Sequence, residues 1–226
     1  QSRVFTLGII TLSVIVLLAG AIVGAVYFSG SDGKLDAVLE LGAGDASQRT
    51  VTAPLDNRSS ASFELLAGTN QVRLSIGELG DDLYRISTPE DAGIRPSPQV
   101  RNDDVKLQVT RDGDGIGGEV EVVLSAKVRW ALRFSGYAEQ QILDLTGGQV
   151  SGIEMVAGTR RAELSLAQPT GTVPVKINGA VEELVVNSPA ANPVRIRVDG
   201  GAKTVVAGSR TLKDVPAGST LTPKNW

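Results

Sequence analysis

A strand pattern that returns every 20–22 residues constrains this chain more than any other feature. Leu164-Ser165-Leu166-Ala167-Gln168-Pro169 corresponds to Leu184-Val185-Val186-Asn187-Ser188-Pro189. Each run is followed by a Val-rich strand and a Gly turn, first Asn178-Gly179 and then Asp199-Gly200-Gly201. A longer echo links Leu66-Ala67-Gly68-Thr69 to Val156-Ala157-Gly158-Thr159, and Val206-Ala207-Gly208-Ser209-Arg210 repeats it again. Several short strands in so short a period predict stacked rungs. One rung cannot bury its apolar face alone. Stacking makes continuous ladders of Val, Leu and Ile, and small residues permit tight bends. An ordinary sandwich with similar hairpins is the other architecture this pattern allows, above all for residues 35–139.

Period-two alternation supports strands throughout. Val105 to Val109, Val120 to Leu124, Val128 to Phe134, Val173 to Ile177 and Val194 to Val198 all alternate, the last two with basic residues outward. Beyond the first 28 residues no amphipathic helix of ordinary length is legible. With few aromatics, the core must be filled by aliphatic side chains.

Those first residues are of another kind. Arg3 is the only charge before Asp32, and Val4 to Phe28 is apolar or small. A helix rising about 1.5 Å per residue over that run can cross a hydrocarbon core of about 30 Å. The run is longer than the core of a signal peptide, about 7–15 residues, and it has no polar face. Tyr27 and Phe28 fall where rings favour the interface, and Gly20 and Gly24 have the spacing of a helix-packing pair. Arg3 favours an N-terminus on the cytoplasmic side. The expected organisation is a cytoplasmic stub (1–3), a transmembrane helix (4–28), a linker (29–34), an N-terminal β region (35–139) and a C-terminal repeat-rich β region (140–226). The two β regions are expected as either one continuous domain or two.

Composition excludes whole classes of chemistry. With no His and no Cys, disulfides, thiol nucleophiles, imidazole–thiolate zinc sites and His-based triads are impossible. A net charge of −3 gives no electrostatic reason to bind nucleic acid. Asp112-Gly113-Asp114-Gly115 opens like a calcium loop, but position 12 from Asp112 is Val123, so a hairpin turn is expected. Asp81-Asp82 and Asp103-Asp104 read as solvated loop charges. No carboxylate pair stands out, no phosphate loop sits before a helix, and no cofactor or metal is expected.

The contact candidates are few. Trp130 and Phe134 share one strand face and are either core or a platform for a sugar or protein partner. Arg129 and Arg133 share the opposite face, where they could form a small basic patch. Trp226 is either free or docked on a partner or on the end of the strand stack.

The run Leu143-Asp144-Leu145-Thr146-Gly147-Gly148, then Ala157-Gly158-Thr159, Leu164 to Val175, Pro189 and Gly200-Gly201-Ala202, resembles the bacterial "putative adhesin" or Toastrack family. That family includes the C-terminal domains of LiaF-like and LiaG-like envelope-stress proteins. The match is good over about residues 130–210 and loose over 35–130. The resemblance implies an all-β stacked-strand domain outside the membrane, tied to stress sensing or to regulation of a membrane partner. It supplies no catalytic residues. LiaF-like proteins usually have several spans, and the single expected span here is nearer the LiaG-like arrangement.

The sequence thus predicts an all-β ectodomain, β-solenoid or Toastrack-like, behind one transmembrane helix in the bacterial plasma membrane. Contact with other membrane or envelope proteins is the expected function, in envelope-stress regulation or as an accessory subunit. A glycan- or wall-binding adhesin and a self-assembling β-solenoid are the alternatives, the last of them a homo-oligomer.

Overall fold

The computed structural model describes residues 38–39, 48–111, 118–189 and 195–222. The expected span with Arg3, Val4, Gly20, Gly24, Tyr27 and Phe28 lies outside them, as do 112–117 and Trp226. Among the described residues no helix is long and apolar enough to cross a membrane.

The described strands are β1 (Val38–Leu39), β2 (Gln48–Pro54), β3 (Ser60–Leu65), β4 (Thr69–Gly77), β5 (Asp82–Pro89), β6 (Ile94–Arg101), β7 (Asp104–Arg111), β8 (Glu119–Ser125) and β9 (Arg129–Phe134). They continue with β10 (Ala138–Leu145), β11 (Val150–Met155), β12 (Thr159–Leu166), β13 (Val175–Ile177), β14 (Val181–Asn187), β15 (Ile196–Val198), β16 (Ala202–Ala207), β17 (Arg210–Val215) and β18 (Ser219–Leu221). A ten-stranded sheet runs β1-β2-β5-β8-β4-β10-β12-β14-β16-β17, and an eight-stranded sheet runs β18-β15-β13-β11-β9-β3-β7-β6.

Each rung is one strand from each sheet, and a corner joins the two in β3/β4, β9/β10, β11/β12, β13/β14 and β15/β16. In space the rungs run β7/β8, β3/β4, β9/β10, β11/β12, β13/β14 and β15/β16, with parallel pairing between successive rungs. Ala138 pairs with Thr159, Thr159 with Val181 and Val181 with Ala202, steps of 21, 22 and 21 residues. The expected period is therefore real, but its phase needs correction. Leu164 pairs with Val186, not Leu184. A shift of two keeps every side chain on its face, so alternation cannot detect it. The line expected at 139/140 falls inside β10, which is bonded to β4 on one side and β12 on the other.

The core is built of ladders. Val105, Phe63, Leu132, Ile153, Val175 and Ile196 stack in register, as do Leu107, Leu65, Phe134, Met155, Ile177 and Val198. All of these are buried. Each is worth about 1.5–3 kcal/mol relative to exposure. In the facing sheet one ladder reads Val120, Val72, Gln141, Ala162, Leu184, Val205. Gln141 is buried, and neither amide atom has a hydrogen-bond partner among the described residues.

The corners explain the small residues. Neighbouring rungs lie about 4.8 Å apart, and the hydrogen bonds continue round the bend. Ser135 N donates to Leu65 O (2.9 Å), Asn178 N to Met155 O (2.8 Å) and Asp199 N to Ile177 O (2.7 Å). A Cβ on Gly136 would lie 1.9 Å from the Ala67 carbonyl oxygen, and one on Gly200 would lie 2.3 Å from the Gly179 carbonyl carbon. These glycines serve close approach between layers. Gly208 is different: its φ is +58° and a Cβ there would meet nothing within 4 Å. It belongs to the β16–β17 hairpin, so Val206 to Arg210 is not a third copy of the corner.

Antiparallel strands close both ends. β17 lies on β16 and β18 on β15; β5 lies on β8 and β6 on β7. β6 is an edge strand that carries Pro96 and Pro98, which cannot donate to a further strand. β17 is an edge with exposed Arg210, Lys213 and Asp214. Edges blunted by proline and charge resist strand-to-strand growth. One edge at each end of the stack is blunted in this way.

Gly136→Ala should cost about 2–4 kcal/mol in urea unfolding, because backbone rather than a flexible side chain must move. Gly208→Ala, strained only by its φ, should cost about 1 kcal/mol. Gln141→Met should raise the urea midpoint by removing an unpaired buried amide, a gain of about 1–3 kcal/mol. A midpoint unchanged or lowered in Gln141→Met would show that the amide is satisfied.

Candidate functional site

The outer faces carry the charges, and some of these bridge neighbouring rungs. On the face of the eight-stranded sheet Lys106, Glu64, Arg133, Glu154, Lys176 and Arg197 stand in register across successive strands. Arg133 Nε lies 3.2 Å from Glu64, and its Nη1 reaches Glu154. Ser135 Oγ donates to Glu64 (2.6 Å) and Asn178 Nδ2 to Glu154 (2.9 Å). Exposed pairs are each worth about 0–1 kcal/mol, but a shared network costs less side-chain entropy per bond. On the other sheet Arg161 pairs with Glu183, a hydrogen bond that holds its guanidinium above the ordinary arginine range.

The expected contact residues divide. Trp130 and Phe134 are fully buried in the core ladders, so neither offers a platform. Trp130 Nε1 donates to the Ser125 carbonyl at 2.9 Å, which satisfies the one polar atom the ring takes inside. Arg133 is held between two carboxylates and does not form a basic patch. Arg129 is exposed and its Nη2 donates to the Thr170 carbonyl at 3.4 Å. It braces a connector.

The aspartate pairs are also placed. Asp82 opens β5 and is not in a loop. Burial pushes its carboxyl up, Arg85 pulls it down and Asp81 adds to the rise. Asp104 opens β7 and accepts from Ser62 Oγ at 2.6 Å, while Asp103 lies 3.5 Å from Arg58. Among the described residues no group of three or more Asp or Glu could hold a metal ion.

Among the described residues, two concave surfaces lie on opposite edges of the rungs. The first is a groove of about 560 Å³ along the corners that lead into β12, β14 and β16. Its floor is Ala180, Gly200 and Gly201, and its rim carries Arg160, Glu182, Lys203 and Asp214. Lys203 pairs with Glu182 at 3.2 Å. Tyr137 stands at one end, 52% exposed, the one large hydrophobic residue so exposed among the described residues. Its corner position is filled by Gly68, Gly158, Ala180 and Gly201 in the other rungs of this series. The sequence reading missed it. A large ring in a column of small residues was the available signal, and it needed the right phase to be read.

The second is a groove of about 830 Å³ at the other edge, beside the connectors from β10 to β11 and from β12 to β13. The β12–β13 connector is pinned: Gln149 Oε1 accepts from the Thr170 hydroxyl at 2.7 Å, and Gln149 Nε2 donates to the Gln168 carbonyl at 3.3 Å. Rigid elements presenting loops at an edge are where binding residues concentrate.

Trp130→Ala should lower unfolding stability by about 3–5 kcal/mol. Tyr137→Ala should leave it within about 0.5 kcal/mol of the native chain. A thermal melt of both variants checks this, and a large loss in Tyr137→Ala would make the ring a structural residue.

No family model matches the chain, and no curated protein does. Among solved structures, a "putative cell adhesion protein" from Clostridium sporogenes ATCC 15579 superposes with a TM-score of 0.51 at 15% identity, covering 76% of this chain and 89% of that chain. This likeness is one of fold. A "putative adhesin" from Bacteroides fragilis NCTC 9343 matches at 10% identity and a TM-score of 0.22, over 70% of this chain and 94% of that chain. Another from Parabacteroides merdae ATCC 43184 matches at 9% and 0.23, over 73% and 95%. Those two scores are too low to speak for a shared fold.

Proposed function

We propose that this chain is a non-enzymatic recognition module of the bacterial envelope, held to the plasma membrane by residues 4–28. Its N-terminus lies in the cytoplasm and its β stack outside. It acts by binding another membrane or envelope protein, in envelope-stress regulation of the LiaG-like kind or as an accessory subunit of a larger assembly.

The observation that carries this reading is Tyr137 on the corner groove. A half-exposed ring on a rigid edge, beside charges of both signs, has the composition of a protein contact. The corner hydrogen bonds fix the groove before a partner arrives, so little ordering entropy opposes binding. The absence of His and Cys from the sequence leaves few routes to catalysis.

A second reading is favoured by the same ring. Tyrosine beside a groove with a charged rim can stack on a sugar, which suits a surface adhesin or wall-binding module. The name of the Clostridium sporogenes protein similar in fold, a "putative cell adhesion protein", accords with it.

A photo-crosslinking amino acid at position 137 of the full chain in intact cells separates the readings. A specific protein adduct, lost when the groove is blocked by Glu182→Trp at its exposed rim, is the expected result. No protein adduct, together with glycan binding lost in Tyr137→Ala, would favour the adhesin.

A further inference from the structure

The charge ladder on the eight-stranded sheet alternates in sign from Lys106 through Glu64, Arg133 and Glu154 to Lys176. The next position, Arg197, breaks the alternation. Like charges directly opposite on neighbouring strands destabilise a sheet. Glu154 already receives Arg133 and Asn178, and Lys176 reaches it only at 4.0 Å. Arg197 engages Asp199 through Nε at 2.7 Å. Arg195, exposed two residues earlier in the chain, adds a third cation. The ladder therefore has a surplus of positive charge at one place, and that place is the rim of the second groove.

The rest of the groove is mostly apolar, with Gln149, Thr172, Ser188, Thr220 and Thr222 among its lining residues. Val150, Leu166, Val173, Pro174 and Val175 line it, and no aromatic ring is among its lining residues. A sugar would find no ring to stack on there. Aliphatic side chains gain about 25 cal/mol for each Å² they bury there. The pinned β12–β13 connector and its prolines hold the wall in place.

We infer that this groove is a binding site for an acidic, aliphatic peptide segment of a protein partner, its carboxylates seated on Lys176, Arg195 and Arg197 where the sign alternation of the ladder breaks. The site deepens the contact reading above and rests on it. It uses the edge opposite Tyr137, so the two can fail separately.

The test uses the full chain in detergent micelles and a short fluorescein-labelled peptide of alternating glutamate and leucine. Anisotropy should show saturable binding that weakens as salt is raised. The double variant Arg195→Gln/Arg197→Gln should lose about tenfold in affinity with an unchanged melting temperature. Lys106→Gln, at the far end of the ladder, should bind as the native chain does. The inference is overturned if the peptide does not bind, if a glutamine–leucine peptide binds equally well, or if the double variant keeps its affinity. Binding of phosphatidylglycerol vesicles or polygalacturonate in place of the peptide would overturn it too, by naming a lipid or a glycan. Such a failure with the position-137 protein adduct intact would remove this site alone; loss of both would remove the contact reading.

Discussion

The structure depends on how closely successive corners approach one another. A parallel stack needs each rung to lie on the last at strand spacing through the bends as well as along the strands. The carbonyl of Leu65 takes the amide of Ser135, and that of Ile177 takes the amide of Asp199, so the pairing of these layers continues round the bend. A side chain pointing between layers would break this pairing. Gly136 and Gly200 are small because the neighbouring main chain occupies the volume a Cβ would need.

Once the spacing is set at the corners, the faces follow. Ladders of identical depth bring Phe63 under Leu132 and Leu65 under Phe134, and the same registration outside brings Glu64 under Arg133. Hydrophobic and ionic order are two faces of one constraint. The exceptions are therefore informative. Gln141 places an amide in an aliphatic ladder, Tyr137 places a ring in a column of small residues, and Arg197 places a cation where the series calls for an anion. A packed core gains nothing from any of the three, which is why two of them mark candidate contact surfaces.

The strands and their period were legible because burial alternates at every second residue. Phase was not. An even shift preserves faces, so Leu164 could be set against Leu184 with no penalty in pattern, when main-chain bonding sets it against Val186. The match of Leu66–Thr69 with Val156–Thr159 was sound, since both are corners, two rungs apart. Trp130 and Phe134 were readable as core from their face. Tyr137 was not, because only a correct phase puts it in line with Gly68 and Gly158. The capping strands also escaped, since an antiparallel cap alternates just as a rung strand does.

The order of rungs in space is not their order in the chain. β3/β4 is made first, yet it lies between β7/β8 and β9/β10, both of which come later. The sheets therefore cannot grow layer by layer as the polypeptide emerges. Until Leu145 is available, β3 and β4 have no parallel neighbour on their second side. The smallest sequence that can sandwich that rung runs from Ser60 to Leu145, and its contacts span many residues, which slows folding. A polypeptide delivered N-terminus first would thus pass through a long interval with two bare strand edges.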